Sequence, residues 1–189
     1  MIIRTAKPEE ANIIAPYLLM AMGEIAYNFI GENSPDKAAA WLEKLISKRN
    51  NQYSFENCLV ADTGQKIVAV ALVYDGSQLQ MLRRPVAKAI KQMFNRAFNP
   101  GDETEPGEYY IDCLAVNPEQ QGQKIGTRLL QFLIDEYVYK RNGTLGLLVD
   151  KDNPDAKKLY LKLGFEFVGN KTFAGKQMEH LQLKGNNYP

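Results

Sequence analysis

With 189 residues, 45% of them hydrophobic, the chain has the size of one ordinary domain and enough apolar surface to fold without disulfides or structural metal. Its 23 Lys and Arg against 22 Asp and Glu leave a formal charge of +1, which offers no broad field to nucleic acid or an anionic membrane. The single histidine, His180, leaves a histidine-based triad one residue to be built around, and Cys58 and Cys113 lie in apolar stretches without metal-ligand spacing.

Residues 1–5 read as a short strand, and Pro8 opens a helical segment in which Ile14, Leu18, Ala21 and Ile25 share a face, with a kink expected at Pro16. That apolar stretch follows Glu9 and Glu10 and has no basic leader, and no segment reaches the roughly 18 apolar residues of a membrane span. A soluble, cytoplasmic protein is the expectation. Ser34 caps and Pro35 opens a second helix, with Ala38, Trp41, Leu42 and Leu45 at i, i+3, i+4 and i+7, before Asn50 and Asn51 end it. Two strand-like runs, 57–61 and 67–74, flank the hairpin signal Asp62-Thr63-Gly64-Gln65.

Residues 75–107 read as a helical insertion. Val86, Ile90, Met93 and Phe94 form one stripe, and Arg83, Arg84, Lys88, Lys91 and Arg96 supply only positive charge. The loop that follows carries Asp102, Glu103, Glu105 and Glu108 and no base. The two pieces attract each other or both face water, and solvated faces are the expectation. Next come a strand at 109–116, a helix at 125–141, a strand at 144–149 and a short helix at 155–163 closed by Gly164. Strands at 166–170 and 179–184 finish a single domain, 1–184, ahead of a flexible polar tail, 185–189. Alternation with Leu181 and Leu183 permits His180 to be exposed.

The stretch from Val116 to Thr127 ends a strand, turns, and enters a helix with Ile125, Leu129, Phe132 and Leu133 on its apolar side. Free N–H groups and the positive end of the dipole at a helix start can solvate phosphate oxygens, and glycine lets a ligand approach the main chain. Gly122 and Gly126 lack the spacing of a Walker loop, and an ordinary tight turn with a helix cap explains them equally well. The context adds more. Gln121, Ile125 and Gly126 after a strand ending Val116-Asn117-Pro118 resemble motif A of the GNAT superfamily of N-acetyltransferases. Asn153, Ala156, Leu159-Tyr160 and Gly164-Phe165 are similar to its motif B. The resemblance covers residues 109–168 most specifically, and the insertion has no counterpart in it. Lys124 stands where the family prefers glycine, so an ammonium there replaces close backbone approach by long-range attraction.

This resemblance implies a mixed α/β fold: a central, mostly antiparallel twisted sheet of six or seven strands flanked by helices, with a V-shaped splay between strands 109–116 and 144–149. It implies acetyl-CoA as co-substrate and no metal. Main-chain groups of Leu114, Ala115 and Val116 would meet the pantetheine arm. Gln121, Gly122, Gln123, Lys124, Ile125, Gly126 and Thr127 would hold the pyrophosphate, and Asn153 would bond cofactor or loop main chain. Tyr160 would meet the departing thiolate. Strand alternation puts Tyr110, Asp112, Leu114 and Val116 on one face. Asp112 is therefore the leading base candidate and Glu108 the reserve, though a carboxylate there equally suits hydrogen bonding between strands. Trp41, Tyr27 and Phe29 either line an acceptor pocket or fill the core.

The function implied is acetyl transfer to a primary amine, with a small molecule preferred over a protein terminus or lysine. The alternatives are an acyl-CoA-binding module without catalysis and an interaction protein whose basic 83–96 helix docks an acidic partner. No nucleic-acid or membrane partner is expected, and a homodimer is compatible with the sequence.

Overall fold

A computed structural model describes residues 1–185, so residues 186–189 of the expected tail lie outside the described residues. Seven strands form one sheet: β1 (Ile2–Thr5), β2 (Cys58–Asp62), β3 (Ile67–Asp75), β4 (Tyr109–Val116), β5 (Thr144–Asp150), β6 (Glu166–Phe173) and β7 (Lys176–Lys184). Their spatial order is β1-β2-β3-β4-β5-β7-β6, and every neighbouring pair is antiparallel except β4 and β5. β3 is an unbroken apolar run from Ile67 to Tyr74 because it is covered on both faces.

On one face lie α1 (Ala11–Met22), α2 (Glu24–Ile30), α3 (Pro35–Ile46) and α4 (Leu79–Phe94), with Ile14, Leu18, Trp41, Leu42, Val86 and Ile90 in a common core. On the other lie α5 (Ile125–Leu133), which runs on as a π-helix over Ile134–Lys140, and α6 (Pro154–Lys162). Among the described residues no single helix is long and apolar enough to cross a membrane.

Four expectations are corrected by the fold. α1 runs on through Pro16, and the sharp break comes at Gly23, whose φ of +55° separates two helical pieces bent by 103°. Consequently Met22, rather than Ala21, joins Ile14 and Leu18 in the core. The charges of the α4 segment do not all face water either. Arg83 bonds Asp102 Oδ1 at 2.8 Å and also Glu103, and Arg83, Glu103 and Glu108 are all buried. The last two strands are longer than their apolar pattern suggests and meet in a two-residue turn, Ala174-Gly175, with φ of +50° and +81°. Finally, His180 on β7 is 2% exposed.

Candidate active site

β4 and β5 pair only over Tyr109–Ile111 and Leu145–Leu147, and beyond these residues the two parallel strands separate. The Asn117 N–H bonds Val68 O at 2.9 Å, so by the period-two alternation of an antiparallel ladder the N–H groups of Ala115 and Cys113 also turn to β3. Leu114 and Val116 therefore turn their N–H groups into the gap. The Ala115 N–H is thus not among those that face the gap. A cavity of about 450 Å³ opens along the splay, lined by Asp112, Leu114, Leu148, Asn153, Tyr160 and, from the α1–α2 break, Glu24, among others.

The alternation expected along β4 fails at one point. Leu72 pairs with Cys113 and Val73 with Ile111, which leaves Asp112 as the extra residue of a β-bulge. Past the bulge the faces exchange. Asp112 and Cys113 both point toward the α1–α4 layer, whereas Ile111, Leu114 and Val116 pack toward α5. Asp112 is thus separated from Leu114 and Val116, with which alternation groups it, yet it lines the cavity and is half-buried. Its Oδ2 accepts from Gln52 Nε2 at 2.8 Å and from the Tyr74 hydroxyl at 3.1 Å, and burial raises its pKa despite these bonds.

Tyr160 sits on the inner side of α6 with its ring 5.9 Å from that of Phe165. Among the described residues no group bonds its hydroxyl, the residue lines the cavity, and burial raises the phenol's pKa. Asn153 also lines the cavity, and its Oδ1 caps α6 by accepting from the Ala156 N–H at 3.2 Å.

At the entry to α5, Gln121, Gly122, Gln123 and Lys124 are exposed, and the first intrahelical bond runs from Arg128 N–H to Lys124 O at 3.0 Å. The N–H groups of Ile125, Gly126 and Thr127 are left free of the helix ladder. Gly122 has φ of +79° and open space around it. Gly126 also serves packing. A Cβ there would stand 3.3 Å from Val116 Cγ2, so its bare backbone lets α5 seat on β4. Lys124 holds φ of +59°, a left-handed conformation that glycine adopts without strain.

Glu108, the reserve base, is not at the cavity. It is buried against His180 Nε2 at 2.9 Å, Gln182 Nε2 at 2.8 Å and Thr104 Oγ1 at 2.6 Å, in space left by Gly146. Burial raises its pKa, but these bonds prevail and hold it below the usual carboxylate range. Of the expected aromatic residues Phe29 lines the cavity, whereas Trp41 is wholly buried beside Tyr53. Gln52, Tyr74, Arg83 and Glu103, which surround Asp112, carry no local sequence signal. Gln52 is a polar residue with 1% exposure just after a helix, and its partners lie 22 to 60 residues away. Among the described residues no group of three His, Cys, Asp or Glu side chains could hold a metal ion.

A model of the acetyltransferase (GNAT) family matches residues 26–165. The N-alpha-acetyltransferase RimI of Mycobacterium tuberculosis is 42% identical over 66 residues, 35% of this chain and 40% of that relative's own length. A crystal structure described as an acetyltransferase superposes over 97% of this chain and 99% of its own, with 26% identity and a TM-score of 0.81. An N-acetyltransferase from Staphylococcus aureus Mu50, 24% identical, shares the fold with a TM-score of 0.85 over 97% of this chain and 100% of its own.

Proposed function

Because the chain belongs to the acetyltransferase (GNAT) family, we propose that it moves an acetyl group from acetyl-CoA to a primary amine of a small molecule, by direct attack with both substrates bound. The observation that carries this reading is the open stretch of β4. Its free amides, the Asp112 carboxyl and the Tyr160 hydroxyl border one cavity. The bound donor supplies an activated thioester. The N–H groups of Leu114 and Val116 hold its extended arm as a sheet edge holds an added strand, and that of Leu114 also stabilises the oxygen that gathers negative charge. The free N–H groups of Ile125, Gly126 and Thr127, with Gln121, Gly122, Gln123 and Lys124 around them, take the pyrophosphate.

Asp112 receives a proton from the arriving ammonium, which frees the nitrogen lone pair. Burial makes this carboxyl more basic than a solvated one and so better matched to the task. Tyr160 meets the sulfur as the C–S bond breaks. Full proton transfer from a phenol near 10 to a thiolate near 8.5 is uphill by about 2 kcal/mol, and burial raises the phenol further, so its role is hydrogen bonding to the developing thiolate. Glu24, Asp112, Asp150 and Asp152 line the cavity, against Lys176, which is itself bonded to Asp150 at 3.3 Å. That balance favours a cationic amine. The RimI relative's name favours a second reading, a protein α-amine as acceptor.

Screening small amines and peptide N-termini for thiol release from acetyl-CoA tests both readings. Tyr160→Phe is expected to lower turnover roughly 10²-fold while acetyl-CoA affinity by calorimetry stays the same. Absence of any calorimetric association with coenzyme A would end the proposal.

Lys124 gives a separate expectation with two signs. Lys124→Gly removes left-handed strain and should raise stability by up to about 1 kcal/mol, part of the gain being offset by glycine's greater freedom when unfolded. The same change removes an exposed ammonium beside the free amides. Acetyl-CoA binding should weaken at low salt and lose most of its dependence on ionic strength. Thermal melting and salt-dependent titration check the two halves independently.

A further inference from the structure

We propose that Glu103, on the loop that follows α4, forms with Asp112 a single two-carboxylate unit, so that a residue of the 75–107 segment sets the protonation of the carboxyl facing the cavity. The use made of the proton rests on the acetyltransferase reading, and the unit itself rests on geometry. Glu103 Oε1 and Asp112 Oδ2 meet the same two donors: Gln52 Nε2 lies 2.8 Å from each, and the Tyr74 hydroxyl lies 2.9 Å from Glu103 and 3.1 Å from Asp112. Two carboxyls bridged this closely in a desolvated place resist joint ionisation and titrate as a pair.

The two members have different surroundings. Asp112 borders the cavity, whereas Glu103 is 1% exposed and its Oε2 is held by Arg83 Nη2. Burial and the Asp112 charge push Glu103 up to about 7 against the pull of Arg83. The phenols of Tyr53, Tyr74 and Tyr110 and the thiols of Cys58 and Cys113 also face Asp112, and burial raises all five, so they keep their protons through the neutral range. Arg83 is the cation in contact with the pair, and Asp102 shares it from the surface. Across the cavity stand Glu24, Asp150, Asp152 and the paired Lys176.

An ammonium loses two protons on becoming an amide. One passes to Asp112, relieving repulsion within the unit, and then to water through the open cavity, and the other ends on the leaving sulfur. Glu103 touches Asp112 and not the amine, so it is a positioning residue.

Carboxyl carbon-13 NMR titration of the full chain, alongside the pH profile of kcat/KM, tests this. Glu103→Gln keeps the shape and removes the second ionisation of the unit. The two-step titration followed at Asp112 should collapse to one step whose midpoint lies about 1–3 pH units below the upper step of the native pair, and the acidic limb of kcat/KM should move down with it. Arg83→Gln should move both upward, and Glu103→Asp should restore part of the original position. A purely structural role would lower kcat in both variants without opposite displacements. An unchanged Asp112 midpoint in Glu103→Gln with native near-UV circular dichroism would overturn the proposal, even if Arg83→Gln failed to fold. Displaced midpoints in a protein that acetylates no amine would instead retire the acetyltransferase reading and leave the carboxyl unit standing.

Discussion

Asp112→Asn is expected to lower kcat/KM for amine acetylation by about 10²–10⁴-fold near neutral pH, with acetyl-CoA affinity unchanged. Asparagine nearly preserves the side chain's volume and can still accept from Gln52 and Tyr74, so the bulge and its neighbours keep their shape. What disappears is the group proposed to take the proton. The deficit should therefore shrink as the pH approaches the pKa of the amine, where more acceptor arrives already neutral. Initial rates of thiol release over a pH series measure this, and a loss below tenfold that does not vary with pH would assign deprotonation to another group.

The largest loss of stability tied to the site is expected at Phe165. This residue follows Gly164, whose φ of +96° ends α6, and its N–H bonds Tyr160 O at 3.1 Å. The ring is 2% exposed and packs in the core between the sheet and α5. Phe165→Ala should cost about 3–5 kcal/mol, since lost burial and an unfilled cavity add together. That is a large share of the 5–15 kcal/mol typical of a domain. The same ring supports Tyr160, so turnover should fall further than the folded fraction does. Phe165→Leu, which retains most of the volume, should cost less than about 2 kcal/mol. Chemical denaturation of the three proteins, compared with their specific activity, separates the packing effect from the loosening of Tyr160.

Features that depend on neighbours in the chain were readable in advance. Ser34 caps α3 through its Oγ and the Lys37 N–H, and the seams of α3 and α5 follow helical spacing because each buries one face, α3 against its neighbouring helices and α5 against the sheet. The strand, turn and helix from Val116 to Thr127 also stand where expected. The bulge at Asp112 was hidden, because an extra residue in a ladder changes pairing without changing composition. Arg83 and Glu103 looked like solvated charges, since a helix and a loop that neutralise each other look from the sequence like two separate charged surfaces. His180 read as an exposed residue beside two leucines. Its partner Glu108 lies 72 positions earlier, beyond the reach of any local pattern. The hairpin joining β6 and β7 escaped because β6 is a sheet edge whose residues are mostly exposed and need not alternate.

The walls of the cavity come from unlike parts of the chain. On the proposed reading the donor side draws on β4, β5 and α6, all between residues 109 and 162, whereas the opposite side combines the α1–α2 break, Phe29, Tyr53 and Phe173. The Ala174 N–H at the hairpin tip bonds Pro100 O at 2.7 Å, tethering this patchwork to the segment after α4. Under the proposed acetyl transfer, the amine's berth can consequently be reshaped one fragment at a time while the thioester's berth stays intact. Homologues that share a donor are then free to diverge in what they acetylate.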